Sequence, residues 1–394
     1  MRVGLFSEAF DPVINGVTSS VKTLAAELCA SGWEPVVVAP GFAGYTDDPA
    51  LNYEVLRLPS FRSVFNRSYP FALPPIGPTP AVLQGARLDL IHTQQPFGMG
   101  FHGLHLARKS RIPLVSTFHT LYHEYTHYFP VLPHKTLRKI LSGHLRRYYG
   151  ACDAIIVPSR AAGDKLIALG VAPERLAVVP TGVPAPPTVL PAAVAEARRR
   201  LQLPEGVPVV LFVGRLAKEK NLDLLLDAFA PLAGRALLLI VGSGPGATAC
   251  EQRARALDLP PWVRFPGFLS RGELSPIYAL ASVFAFPSGS ETQGVVLSEA
   301  QSHGLPCVVV NRGGGPEFVR HDIDALVVPP KVPEFRAALE ALLGDPARRR
   351  SFSQAARESL LRPTPEGMAR RVIEVYSEAS RFRQAALARE KTPL

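Results

Sequence analysis

Long apolar runs are missing from this 394-residue chain, and cysteine, methionine and tryptophan are scarce. No stretch reaches the roughly 18 apolar residues that a membrane-spanning helix needs. The N-terminus, MRVGLFSEAF, passes straight into a strand-like run with an early acid. It does not have the make-up of a signal peptide. The four cysteines, Cys29, Cys152, Cys250 and Cys307, are scattered through mostly apolar surroundings. They have neither metal-ligand spacing nor the density of a disulfide framework. Buried free thiols in a reducing cytosol are the expectation, and with them a cytoplasmic location. Zinc-finger spacing and RNP-type aromatic runs are lacking too, so no nucleic-acid partner is expected. That holds despite a formal net charge of +10, from 43 basic and 33 acidic residues. Such a balance also suits an acidic membrane face or a phosphorylated ligand, or reflects a composition rich in Ala, Pro and Arg.

The residues that are present alternate regularly. Apolar, β-branched runs occur at 2–6, 35–39, 88–92, 113–117 and 154–158, and again at 208–213, 236–241, 262–266, 283–287, 306–310 and 325–328. Helical patterns lie between them, at 19–31, 221–232, 273–281 and 334–343. Short apolar strands alternating with helices predict parallel sheets covered on both faces. Two series predict an α/β protein of two doubly wound domains. The break falls in the Pro-rich and helical stretch around 184–206. Expected bounds are 1–185 and 200–366. A final amphipathic pattern at 367–388 reads as a terminal helix.

Several segments place chemistry at strand ends. After VFAFP (283–287), SETQGVVLSEA (290–300) sets Glu291 and Glu299 on either side of Gly294. A helix starting near Gly294 puts Glu291 ahead of its N-terminus and Glu299 in its second turn. Its unpaired N–H groups suit phosphate or hydroxyl oxygens, and two carboxylates can accept from two sets of sugar hydroxyls. A surface loop with a capping acid carries equal weight on spacing alone. In FVGRLAKEKNLDLLLDAF (212–229), Arg215 and Lys220 bracket a helix start at about Asn221, an arrangement that suits a diphosphate. A solvated charged loop is the plain alternative. In FSEAFDPVINGVTSSVKTLAAEL (6–28), Gly16 lets backbone approach an anion, with Thr18 or Ser19 as the helix cap. His119 emerges at the end of the strand in STFHTLYHEYTHYF (116–129); a lone histidine is more often structural than catalytic. GSGPGA (242–247) fits a dinucleotide fingerprint, the sign of an NAD-dependent oxidoreductase. It lacks the acid about 20 residues on, and Pro245 disturbs the helix start.

One stretch is acid-free. Between Tyr125 and Cys152 there is no Asp or Glu, while Lys135, Arg138, Lys139, Arg146 and Arg147 occur. On a helix over 134–149, Leu137, Ile140, Leu141, Leu145 and Tyr148 form an apolar stripe. Such a helix can lie on an anionic membrane, or pack in a core with a solvated basic face. FRSVFNRSYPFALPP (61–75) adds aromatics beside Arg62 and Arg67.

PSGSETQGVVLSEAQSHGLPCVVVNRGGGPEFV (287–319) resembles the nucleotide-sugar site of retaining glycosyltransferases of the GT-B fold, family 4 (group 1). The pattern is an acid, seven residues, Glu-Ala, Gly-x-Pro and a Gly-Gly-x-x-Glu loop. Gln293 departs from it, standing where the family often has an aromatic residue. The run at 212–229 is similar to the family's Gly-Arg-x-x-x-x-Lys element, and Asn15-Gly16 to its N-terminal loop. The resemblance implies two Rossmann-like domains facing across a cleft, acceptor-binding then donor-binding, with the last helix crossing back. It gives Arg215 and Lys220 the donor phosphates, Glu291 the sugar and Glu299 the ribose. Gly16, Gly294 and Val295 complete the donor loops, and His119 has a positioning role near the sugar. No cofactor and no metal are implied. The order FHTLYHEYTHYF then basic helix is similar to the diacylglycerol glucosyltransferase branch. That implies UDP-glucose as donor and a lipid acceptor on the inner membrane face. Tyr122, Tyr125 and the five basic residues then serve the acceptor or the membrane. A mannosyl- or galactosyltransferase is the alternative, and the assembly is a monomer or a dimer.

Overall fold

A computed structural model describes residues 1–62, 70–72, 81–122, 124, 133–359 and 361–391. The chain divides into two compact units, Met1–Gly182 with Thr364–Leu394, and Val183–Pro363.

The first unit holds a seven-stranded sheet. Its spatial order is Glu54–Leu58, Glu34–Pro40, Arg2–Phe6, Leu90–Thr93, Leu114–Thr117, Ala154–Val157, Leu176–Val178. Every pairing is parallel. The central strands are buried end to end, as a sheet covered on both faces requires. Two edge strands, Glu54–Leu58 and Leu176–Val178, were not among the expected runs. Glu54–Leu58 is interrupted by the accessible Glu54 and Arg57, while Leu176–Val178 is apolar but only three residues long, with Val178 exposed. A short antiparallel pair, Ser60–Arg62 with Pro70–Ala72, adds a two-stranded ribbon. The terminal helix Pro365–Lys391 covers one face of this sheet through Met368, Val372, Val375, Tyr376 and Ala379.

The second unit holds six parallel strands in the order Val263–Gly267, Leu237–Val241, Val209–Val213, Val283–Phe286, Cys307–Val310, Ala325–Val328. All six were expected from the sequence. In each sheet the strand order reverses beside the unit's first strand. Ligands of open α/β sheets bind at such a reversal, outside the strand carboxyl ends. In the second unit the loops flanking it follow Val213 and Phe286.

All four cysteines are free thiols; Cys152, Cys250 and Cys307 are buried and Cys29 half-buried. Among the described residues, no helix is long and apolar enough to cross a membrane.

Candidate functional site

The two loops at the reversal in the second unit are tied together. The Lys220 ammonium pairs with the Glu291 carboxylate, and both side chains are mostly shielded, at 19% and 17% exposure. Ser288 Oγ and Ser290 Oγ donate to the carbonyl of Glu219 at 3.2 and 3.3 Å. Asn221 holds a left-handed conformation (φ 54°), one that asparagine tolerates better than most residues. Its amide donates to the Pro287 carbonyl at 3.4 Å. The helix therefore begins one residue later than expected, at Leu222, and runs to Phe229. Arg215 stays about half exposed and pairs at 3.2 Å with Glu219, whose side chain is only 7% exposed. The KEK segment is thus an organised turn rather than a solvated charged loop. Glu219, unremarked in the sequence, is its internal acid.

Gly294 precedes the helix Val295–Ser302 in the left-handed region, at φ 83°. A Cβ there would sit 2.5 Å from Phe286 Cζ, and one at Gly315 would sit 2.8 Å from Phe286 Cε1. The buried Phe286 ring thus supports both loops from below. Gly314 N–H donates to the Glu291 carbonyl at 2.8 Å, which fixes the Glu291 turn against the Gly-rich segment. Val295 opens the helix, and Gln293 is 2% exposed. Glu299 lies in the second turn, half-buried, and accepts from the Tyr278 hydroxyl at 3.0 Å. Burial raises its carboxyl above the usual range, and the Tyr278 hydrogen bond pulls the other way.

GSGPGA owes its glycines to packing. A Cβ at Gly242 would lie 1.9 Å from the Gly214 carbonyl oxygen, and one at Gly244 would lie 2.4 Å from that of Leu216. The loop lies directly on the Arg215 turn, joined by Leu216 N–H to the Ser243 carbonyl at 2.9 Å. Asp322-Ile323-Asp324 has a metal-motif spacing that sequence reasoning passed over. Asp324 is fully buried against Arg320, at 2.7 Å, and Asp322 pairs with Arg348 at 2.6 Å, so both serve the fold.

In the first unit, polar groups again gather at the strand carboxyl ends. Asn15, not Thr18 or Ser19, caps the first helix, which runs Gly16–Ala30; its side chain accepts from Thr18 N–H at 2.9 Å. Thr18 and Ser19 already lie inside the helix, and Asn15 has the extended backbone a cap needs. Gly16 is exposed, with open space where a Cβ would stand. His119 is half-buried, and its Nε2 faces Gln94 Oε1 at 2.8 Å. Burial lowers its pKa to about 4, so the ring is neutral at ordinary pH. Sequence reading missed the buried Glu8, which accepts from Met99 N–H at 2.7 Å at the start of the helix Met99–Ser110. An acid two residues beyond a buried strand was the available signal.

The helix His134–Gly150 matches the expected one, and its stripe divides. Leu145, Tyr148 and Tyr149 are buried, while Ile140 is 54% exposed and Leu137 and Leu141 are partly so. Lys135, Arg138, Lys139, Arg146 and Arg147 are all exposed, and none pairs with a described acid. Tyr122 packs edge-on against Phe97, with ring centroids 5.0 Å apart. Tyr125 lies outside the described residues.

A family model for glycosyl transferases group 1 matches residues 194–359, and one for glycosyltransferase family 4 matches 14–185. The chain is 28% identical to α-monoglucosyldiacylglycerol synthase of Streptococcus pneumoniae, over 100% of this chain and 89% of that protein. It is 31% identical to the enzyme of the same name from Acholeplasma laidlawii, over 78% and 80%. A GDP-mannose-dependent α-mannosyltransferase of Mycobacterium tuberculosis is 31% identical over 92% of each chain. Among solved structures, Anabaena HepE in complex with UDP-glucose superposes with a TM-score of 0.75 at 18% identity, covering 96% of this chain and 99% of that one. The chain belongs to the family 4 (group 1) glycosyltransferases and has the GT-B fold.

Proposed function

We propose that this glycosyltransferase moves a hexose from a nucleoside diphosphate to a lipid hydroxyl with retention of configuration, with UDP-glucose as donor and diacylglycerol as acceptor. The observation that carries the reading is the pairing of Lys220 with Glu291 at the strand-order reversal, beside Arg215 and ahead of the Gly294 helix start. A diphosphate placed there meets two cations and free helix N–H groups, which stabilise charge as the nucleotide departs. Glu291 orients the Lys220 ammonium and accepts from sugar hydroxyls; Glu299 accepts from the ribose. The leaving phosphate oxygen takes the acceptor's proton on the same face of the sugar. His119, neutral through burial, positions the sugar by hydrogen bonding and carries no charge. On this reading the second unit binds the donor, the first binds the acceptor, and no metal takes part.

The two synthases that the chain resembles support glucose and diacylglycerol. The mannosyltransferase relative supports the alternative, a mannosyl transfer from GDP-mannose. Membrane attachment rests on the exposed half of the helix His134–Gly150. There, Lys135, Arg138 and Lys139 flank an accessible Ile140, while the other half is anchored in the core. Basic side chains with an apolar wedge suit an anionic leaflet.

The test is sugar transfer in mixed micelles of diacylglycerol and anionic lipid, with EDTA present. An α-linked glucolipid from UDP-glucose is the expected product. A β-linked product would overturn retention, and activity abolished by EDTA would overturn the metal-free mechanism. Transfer only from GDP-mannose would replace the donor assignment with the alternative.

A further inference from the structure

Glu299 is held at both ends. Its Oε2 accepts from the Tyr278 hydroxyl at 3.0 Å, and its backbone carbonyl meets His303 Nδ1 at 2.9 Å. A carbonyl can only accept, so His303 carries its proton on Nδ1. The His303 ring stacks on the Tyr278 ring, with centroids 4.9 Å apart and planes 25° from parallel. Tyr278 is 2% exposed and lies on the helix Arg271–Leu280, 21 positions from Glu299 in the chain. A phenol hydroxyl so buried has no water to turn to, so its donation is directed at one oxygen. The other carboxylate oxygen, Oε1, makes no hydrogen bond among the described residues, and the side chain is only half-buried. One oxygen is therefore occupied and aimed, and the other is left for a ligand.

We propose that Tyr278 is a positioning residue for the nucleotide: its hydroxyl, braced by the stacked His303 ring, orients the Glu299 carboxylate to accept from the ribose diol. This rests on the donor-site reading above and adds to it the residue that sets the geometry of the acid. A freely rotating glutamate at a helix surface would lose side-chain entropy on binding the diol. The Tyr278 bond and the stack remove that loss beforehand. The same bond favours the ionised form of the acid against the effect of burial. Burial raises the Glu299 carboxyl, while the hydroxyl of Tyr278 and the charge of Arg271 lower it. The facing groups are thus Tyr278 and Arg271 from one helix and His303 from the end of its own; His303 is itself pushed toward the neutral form by burial. A protonated Glu299 is a poorer acceptor. Nucleotide affinity therefore falls as pH drops through its raised pKa, and loss of the Tyr278 hydroxyl moves that fall to higher pH.

The experiment is calorimetric titration of the full chain with UDP and with 2′,3′-dideoxy-UDP, for the parent and for Tyr278→Phe, across pH 5–8. The expected result is about tenfold weaker UDP binding in Tyr278→Phe, the size of one hydrogen bond to a charged group. Binding of the dideoxy nucleotide should change less than twofold, and the acid limb of UDP binding should move up in pH. Equal losses for both nucleotides would mark Tyr278 as merely structural and overturn the proposal, as would unchanged UDP binding. If Tyr278→Phe does not fold, 3-fluorotyrosine at position 278 keeps both ring and hydroxyl. Its fluorine signal should then shift with UDP and not with the dideoxy nucleotide; a signal that ignores UDP overturns the proposal. A parent that binds UDP while Tyr278→Phe binds it equally well sinks the Tyr278 role alone. A parent that binds no nucleoside diphosphate sinks the donor site and this inference together.

Discussion

The Lys220–Glu291 pair can be asked whether it serves the fold or the reaction. Both groups lie in the second unit and are about four-fifths buried. At an effective dielectric constant of about 20, opposite charges about 4 Å apart attract by about 4 kcal/mol. Desolvation offsets most of that, leaving roughly 1–2 kcal/mol net. Lys220→Met strands Glu291 without its cation, and Glu291→Gln strands the ammonium. Each should destabilise the protein by about 2 kcal/mol, and the double variant by less than the sum, because neither charge is then left alone. Turnover should behave differently. If Lys220 meets the departing diphosphate, either single change should cost on the order of a hundredfold, about 2.7 kcal/mol of transition-state stabilisation. The double variant should recover none of it. The assay is initial-rate sugar transfer beside thermal unfolding, for all four proteins. A double variant that regains turnover together with stability would refute the mechanistic role and leave a structural ion pair. Near-parental turnover in Lys220→Met would remove the residue from the reaction.

Three further outcomes are expected. His92 is fully buried between the Thr117 and Tyr376 hydroxyls, at 2.7 and 2.8 Å, and burial holds its pKa to about 3. The unfolded chain therefore takes up a proton near pH 6.5 that the folded one refuses, and stability drops by about 3 kcal/mol between pH 6.5 and 4. His92→Gln should flatten that slope in denaturant titrations; an unchanged slope would show that His92 is not its source. Gly294→Ala forces a Cβ into a left-handed turn against Phe286, and should cost about 2–4 kcal/mol in thermal unfolding; a parental melting temperature would refute the packing argument. Binding to vesicles should rise with anionic lipid, fall with salt, and drop at least tenfold when Lys135, Arg138 and Lys139 become glutamates; binding indifferent to all three would end the membrane reading.

Chain order and apolar content determined much of this protein. A strand buried on both faces must be apolar throughout, so the central strands of both sheets could be read from composition, and all six of the second unit were. Loops at strand ends were readable as well, since the Gly-Arg-x-x-x-x-Lys element directly follows one such strand and Gly294 ends the loop that follows another. The edge strands of the first sheet escaped, one because a half-exposed segment tolerates residues such as Arg57, the other because three apolar residues are too short a run to read. The caps and close contacts escaped for another reason. Asn15 was not read as the cap in place of Thr18 or Ser19, because all three side chains are able to cap and only backbone geometry separates them. GSGPGA looked like a nucleotide fingerprint, whereas its glycines answer to the Gly214 and Leu216 carbonyls pressed against them. What tertiary structure alone decided is which charges and hydroxyls meet. Lys220 with Glu291, Glu8 with Met99, and Tyr278 with Glu299 are joined across 71, 91 and 21 positions. Local periodicity carries no record of such pairings, because strand order in the sheet, rather than distance along the chain, sets which loop ends lie side by side.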